Sequence, residues 1–439
     1  MIQFAKENTI LLILLHIAFG YLASFSFFPT PFAIILILIA ISVVLISNNK
    51  NEEAFIMSAY IVGIEVFLRM VKGAPLFETG KYITITLLLI GLIVGPLKQK
   101  LTIVFPFYLM LLLLGIVFTT VPDGESLRKT VAFNLSGPFM LGVCAIYFYK
   151  RKITFSEIYS AFLFFLFPIF SMITSIYLFS PNIEDIRFGG ASLGETSGGF
   201  GPNQVTTALG FGMFIIGVFI VFKWKLTGSR IVDALILMYF LYRGLLTFSR
   251  GGILAGGIGF VVFFIFIIIY NKDYKSIFKY LIIAAVFMTA VWTYTSKVTG
   301  GQIDNRYSGK NASGIQKEDA SSGRFVIMAN QLQGFKESPI FGIGVGNGKY
   351  RRLEKGDSVG ASHNEITRLI EEHGLIGVFS LLMLLFVPIA HFRKVNYLQK
   401  SLLVTFYLFW FLTINHSAMR IAFPGFIYAL SLINIVNDE

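Results

Sequence analysis

The chain has 439 residues, 55% of them hydrophobic and 14% charged, with a formal net charge of +12. Soluble domains carry roughly 25% charged residues, so an ordinary soluble domain is excluded. The single cysteine, Cys144, stands in an apolar run, so no intramolecular disulfide can form. In a polar chain the positive balance would suit nucleic acid; here it points to bilayer orientation and anionic lipid, and no nucleic-acid partner is expected.

Apolar runs near the roughly 20 residues needed to cross a bilayer recur along the sequence. Candidate spans centre near residues 18, 39, 61, 89, 111, 140, 169, 213, 239, 261, 286, 383, 408 and 427. The first run, Ile10 to Phe28, follows a lone Lys6 and is read as a retained helix rather than a signal peptide. The third span carries Glu65 and Arg69, and the ninth carries Asp233 and Arg243. The expected fold is all-α: a polytopic membrane protein with about 12 to 14 transmembrane helices and one long extracytoplasmic loop containing short helices. Residues 1–294 form an N-terminal transmembrane bundle of about 11 helices, and residues 295–374 form the loop, with two amphipathic helices. Residues 375–439 add about three C-terminal spans.

Lys and Arg in the short loops set the orientation. With the N-terminus inside, the inner loops hold Lys50, then Lys98 and Lys100, then Lys150, Arg151 and Lys152. Further along they hold Lys223, Lys225 and Arg230, then Lys272, Lys275 and Lys279, then Arg393, Lys394 and Lys400. The outer loops are poorer in cations, with Lys72, Lys81 and the pair Arg128–Lys129 as exceptions. This alternation puts Arg187, the turn at Arg250 and the segment from Ser296 to Gly374 outside. Within that segment, KVTGGQIDNRYSGKNASGIQKEDASS reads as a mobile polar stretch. The next stretch, SGRFVIMANQLQGFKES, places Phe325, Met328, Leu332 and Phe335 at helical spacing, as an amphipathic helix on the membrane or on the spans.

The run ASHNEITRLIEEHGLIGVFSLLMLL begins a helix that turns strongly apolar. Ser362 and Glu365 have capping-box spacing, which puts His363 in the first helical turn. The positive helix end disfavours imidazolium, and a neutral imidazole accepts a proton from a hydroxyl. A polar first-turn loop residue fits the same pattern. Arg250, in TFSRGGILAGG, falls where one apolar helix stops and another starts. Ser249 suits the cap, and Gly251-Gly252 admits a close neighbour. Arg250 fits either an anion site or interfacial snorkelling. Arg324 starts the loop helix, as a ligand for anions or as a headgroup contact. Arg187, in EDIRFGGASLGETSGGFGPNQ, has Glu184 and Asp185 as candidate partners. HExxH, CxxC and Walker A patterns are absent, and FGIGVGNG does not fit GxGxxG. The outer loops lack a carboxylate or His cluster suited to a metal, so no metal and no cofactor are expected. Arginines with one or two histidines suit a phosphate-bearing substrate.

GFKESPIFGIGVGN followed by SHNEITRLIEEHGLIGV, in a long outer loop ahead of the last spans, resembles the O-antigen ligase and Wzy polymerase superfamily. FSRGG and GFGPNQ are similar to its other recurring segments, the latter with Gly201 where Asn-Pro-Asn is more usual. The resemblance covers roughly residues 180 to 390. It implies a bacterial inner-membrane glycosyltransferase, inverting and metal-independent, working on the periplasmic face. The implied donor is an undecaprenyl-pyrophosphate-linked glycan and the acceptor a saccharide or the lipid A core; membrane lipids and a polysaccharide assembly complex are further partners. By residue matching, Arg250 and Arg324, with Arg187 ranked below them, hold the pyrophosphate and His363 deprotonates or orients the acceptor hydroxyl. Ser249, Asn203, Asn364 and Glu365 are expected in support. The competing expectation is a transporter or flippase of lipid-linked oligosaccharide, with Glu65/Arg69 and Asp233/Arg243 as its intramembrane charge pairs.

Overall fold

The computed structural model describes residues 2–189, 191–272, 275–317, 319, 321, 323–356 and 362–437, with backbone only for 275–279 and 281. The side chains of Lys275 and Lys279, and residues Glu318, Ala320, Ser322 and Ala361, therefore lie outside the described residues.

The first half supplies α1 (Ile2–Glu7), α2 (Thr9–Leu22), α3 (Pro29–Ser47), α4 (Glu53–Met70), α5 (Thr79–Val94), α6 (Val104–Val117), α7 (Leu127–Phe148), α8 (Phe155–Phe179) and α9 (Pro202–Phe222). The second half supplies α10 (Arg230–Leu246), α11 (Arg250–Asn271), α12 (Lys275–Val298), α13 (Gln302–Tyr307), α14 (Arg324–Glu337), α15 (Asn347–Glu354), α16 (Glu365–Phe392), α17 (Tyr397–His416) and α18 (Phe423–Leu430). Seven of these (α3, α7, α8, α9, α11, α16 and α17) are long and apolar enough to cross a membrane. Shorter apolar helices are α2, α5, α6 and residues 282–298 of α12. The chain is an all-α, multi-pass membrane protein.

Every expected span centre falls within a helix. The fourteenth is corrected in kind: α18 has eight residues, all buried. At 1.5 Å per residue it is about 12 Å long, well short of a roughly 30 Å hydrocarbon core. The parallel pair β1 (Lys152–Thr154) and β2 (Asn434–Val436) was not expected.

The helix of mixed hydropathy, α4, lies at the centre: all its residues are buried, while α3 turns Ile35, Leu38 and Ile46 outward. Charges inside a membrane bundle persist where they are paired. Arg69 pairs with Glu65 at 2.6 Å and Glu78 at 3.5 Å, and Glu78 pairs with Lys81 at 2.5 Å. Lys81, an exception to the charge bias, is thus a buried partner rather than a loop cation. The same network grips the connection between α17 and α18. Glu65 Oε2 accepts from Ala422 N at 2.6 Å, and Arg69 Nη1 donates to the Arg420 carbonyl at 3.0 Å. Asp233 and Arg243 do not meet: Asp233 accepts from Thr227, and Arg243 donates to the Ile176 carbonyl and Ser180 Oγ.

Loops assigned to the inner side gather at one end. Lys98 reaches Glu52 at 3.1 Å, Arg151 Nε donates to Glu52 at 2.7 Å, and Lys150 N donates to the Leu432 carbonyl at 2.8 Å. The outer connections meet at the other end. Val345 N donates to Thr119, Leu193 N to the Thr247 carbonyl, and Ala418 N to the His363 carbonyl.

Helix α16 breaks at Gly374, whose φ of 60° and ψ of −140° are non-helical. A Cβ there would lie 2.6 Å from Gly342 N and from Pro339 O, so only glycine fits. A broken helix must satisfy its freed carbonyls. PIFGIGVGN does this: Ile343 N donates to the Glu371 carbonyl at 3.0 Å, Gly344 N to the Glu372 carbonyl at 3.1 Å, and Leu375 N back to Pro339 O at 2.7 Å. Positive φ at Gly342, Gly344 and Gly346 lets the turn fold into the break. Residues 365–373 are therefore a separate helical segment above the span.

Candidate active site

His363 lies one residue outside the helix, which corrects the capping-box reading. The N-cap is Asn364, whose Oδ1 accepts from Thr367 N at 3.1 Å. Ser362 Oγ instead accepts from Asn364 N at 3.2 Å, and the Glu365 carboxylate turns to Arg368 and to Met419 N. The loop before the helix is pinned from α17–α18. Ala418 N donates to the His363 carbonyl at 3.1 Å, and Arg420 Nη2 donates to the Ser362 carbonyl at 3.0 Å. The imidazole is half-buried. Burial first, then the Arg324 and Arg420 guanidiniums, lower its pKa to about 4. The neutral ring expected from the sequence is thus present, through burial and nearby cations rather than a place in the first turn.

The sign of the pH dependence follows. His363 is neutral well below pH 6.5, so activity that needs the free base should stay flat from pH 7 down to about 5 and fall as the pH approaches about 4. Because the folded pKa is depressed, protonation favours the unfolded chain, and stability from this group declines as the pH drops below its ordinary value. A kcat/KM profile with its acid limb near 6.5 would contradict this placement.

Arg250 is the first residue of α11 and Arg324 the first residue of α14. Arg250 Nη1 donates to the Arg306 carbonyl at 3.4 Å, and Arg306 Nε donates to the Phe248 carbonyl at 3.0 Å. Burial and the Arg250 charge hold Arg324 below its ordinary value; burial, Arg250 and Arg324 do the same for Arg306. Arg250, Arg306, Arg324 and His363 therefore form one electrostatic group. Arg306 was missed because its stretch reads as a polar loop; in the structure it sits in α13, docked on the turn before α11. Arg420 was missed in the short α17–α18 connection. Its guanidinium stacks on Phe133 at 4.3 Å, and burial lowers its pKa to about 10.

Ser249 takes the N-cap position of α11 without a capping hydrogen bond; it donates to Asn203 Oδ1 at 2.7 Å and contacts Thr206 Oγ1 at 3.0 Å. Asn203, near the start of α9, also donates to the His416 carbonyl at 3.5 Å. The group that Gly251 admits is the His416 ring, and Gly252 meets the Thr206 backbone. His416 is held by the Leu412 carbonyl at 3.0 Å and Thr207 at 3.2 Å. Asn364 donates to Asn415 at 2.9 Å. These residues hold the turns that carry the cations. Arg187 is exposed, and among the described residues no ion pair joins it to Glu184, Asp185 or the cluster. Its neighbour Phe188 stacks on Phe248 at 5.2 Å.

Beside the 362–364 loop lies a cavity of about 810 Å³, whose wall includes Ser362, Arg420, Gln331, Glu371 and Phe133. Arg128 and Lys129, two of the other outer-loop exceptions, stand in that wall too.

Residues 234–382 match the family model Wzy_C, O-antigen ligase. The match spans about a third of the chain. No curated protein and no solved structure matches it. The Wzy_C segment includes Arg250, Arg306, Arg324 and His363, whereas Asn203, His416 and Arg420 lie outside it. The match agrees with the resemblance drawn from the loop sequences. It supports a membrane glycosyltransferase of the O-antigen ligase or polymerase type in general, with a lipid-linked glycan and a polysaccharide acceptor as general substrates.

Proposed function

We propose that the protein transfers a glycan from undecaprenyl pyrophosphate to a saccharide hydroxyl on the periplasmic face of the bacterial inner membrane. The observation that carries this reading is the meeting of Arg250, Arg306, Arg324 and His363 at the loop-covered end of the bundle. An arginine at a helix start can add its planar fork to the backbone N–H groups there in binding a phosphate. Arg250 and Arg324 each occupy that position on helices of 22 and 14 residues. A diphosphate with its lipid tail between spans supplies such an anion.

In the reaction, the acceptor oxygen attacks the anomeric carbon as the bond from that carbon to the pyrophosphate oxygen breaks, with inversion. The hydroxyl proton passes to His363, and undecaprenyl pyrophosphate leaves. Charge grows on the leaving oxygen, and guanidiniums fixed beside it stabilise the transition state more than the ground state. The cations serve where other transferases place a divalent metal.

The test is purified protein in lipid nanodiscs with lipid-linked glycan and acceptor. A new glycosidic bond and released undecaprenyl pyrophosphate are the expected products. Movement of the lipid-linked glycan across the bilayer without bond formation would establish the transporter reading instead.

A further inference from the structure

The cavity beside the 362–364 loop is not lined by Arg250, Arg306 or Arg324, but it shares Ser362 and Arg420 with the surroundings of His363. The cavity thus reaches the loop that carries the histidine. At about 810 Å³ the cavity lies within the usual range for small-molecule sites.

Its wall holds two buried groups with complementary needs. Gln331 is 1% exposed and Glu371 0%. Neither Glu371 oxygen accepts a hydrogen bond, and Arg351 and Arg352 approach them only to 3.9 and 3.8 Å. Gln331 Nε2 is turned toward the Glu371 carboxylate without completing a hydrogen bond to it, while its Oε1 accepts from Thr367 at 2.7 Å and Ser362 at 3.4 Å, which fixes the direction of the amide. A buried polar group without a partner costs about 1–3 kcal/mol. A hydroxyl both donates and accepts, so one hydroxyl between Glu371 and Gln331 satisfies both. The ring of Phe133 offers an apolar face on the same wall, suited to the C–H side of a sugar ring.

We propose that this cavity is a second binding site, separate from the guanidinium cluster, which holds the acceptor saccharide. Glu371 and Gln331 bond its hydroxyls, and the reacting hydroxyl passes Ser362 to reach His363. The inference rests on the reading of His363 as the base, and its test is built so that the two can fail separately.

Two probes are titrated onto protein in nanodiscs: undecaprenyl pyrophosphate, and a lipid-free oligosaccharide released by mild acid from the surface polysaccharide of the cells that carry the chain. Ala132→Trp puts an indole into the cavity wall, and Glu371→Gln alters the acceptor group with little change in shape. Size-exclusion profiles and thermal unfolding confirm that both variants are folded. Oligosaccharide affinity should fall about tenfold or more in both variants while undecaprenyl pyrophosphate binding stays within about twofold. Arg324→Ala should show the reverse pattern. Unchanged oligosaccharide binding in Ala132→Trp and Glu371→Gln, loss of that binding in Arg324→Ala, or no binding to wild type at millimolar concentration would each overturn the assignment. Undecaprenyl pyrophosphate binding that survives Arg324→Ala would overturn the donor reading, leaving the saccharide arm to be judged on its own.

Discussion

Replacing His363 by alanine is expected to abolish detectable glycan transfer while the protein remains folded in the membrane. A positioned general base contributes about 10²–10⁴ in rate. The nearby His416 ring, which feels the Arg324 and His363 charges, has both nitrogens engaged by Leu412 and Thr207, and His373 is buried on α16. No side-chain hydrogen bond to the His363 ring is present among the described residues, so its removal should leave the 362–364 loop in place. That loop is pinned through backbone carbonyls by Ala418 and Arg420. The measurement is turnover with lipid-linked glycan alongside the elution profile of the purified variant. Activity within a few-fold of wild type would remove the histidine from the chemistry.

Arg324→Ala should lower kcat/KM by about 10- to 150-fold, the equivalent of one charge-assisted hydrogen bond of roughly 1.5–3 kcal/mol. Arg250→Ala and Arg306→Ala should act in the same direction. Each of these guanidiniums raises the cost of charge on its neighbours, so the double variants should lose less than the product of the single losses. Arg324→Lys keeps the charge but loses the planar fork, and should recover only part of the activity. Separate titrations should place most of the Arg324 effect on donor binding. An Arg324→Ala enzyme with unchanged donor affinity and turnover would place the diphosphate elsewhere.

Which loops share an end of the bundle was the most legible property, because Lys and Arg bias acts on each loop independently and needs no tertiary knowledge. The inner loops at Lys50, Lys98 and Arg151 meet at one end, as their charge implied. Helix starts at Arg250 and Arg324 were also readable, each following a local break in the pattern. Arg306 and Arg420 were not, since nothing in their short segments marks them; only the docking of α13 and the grip of Glu65 and Arg69 on residues 420–422 bring them close. At the His363 helix the Ser362–Glu365 spacing misled: Asn364 caps the helix, and the Glu365 side chain turns to Arg368, a partner that cap spacing does not reveal. The β1–β2 pair joins segments far apart in the chain, beyond any local pattern.

Helix α14 turns Gln331 and Gly334 toward the protein and leaves Phe325, Val326 and Leu332 outward, with Ile340 and Phe341 continuing the same greasy rim. An apolar rim of that size is costly against water and favourable against acyl chains. Seated there, α14 would ride at the surface of the bilayer, and the lipids would set the height of Arg324 at its leading edge.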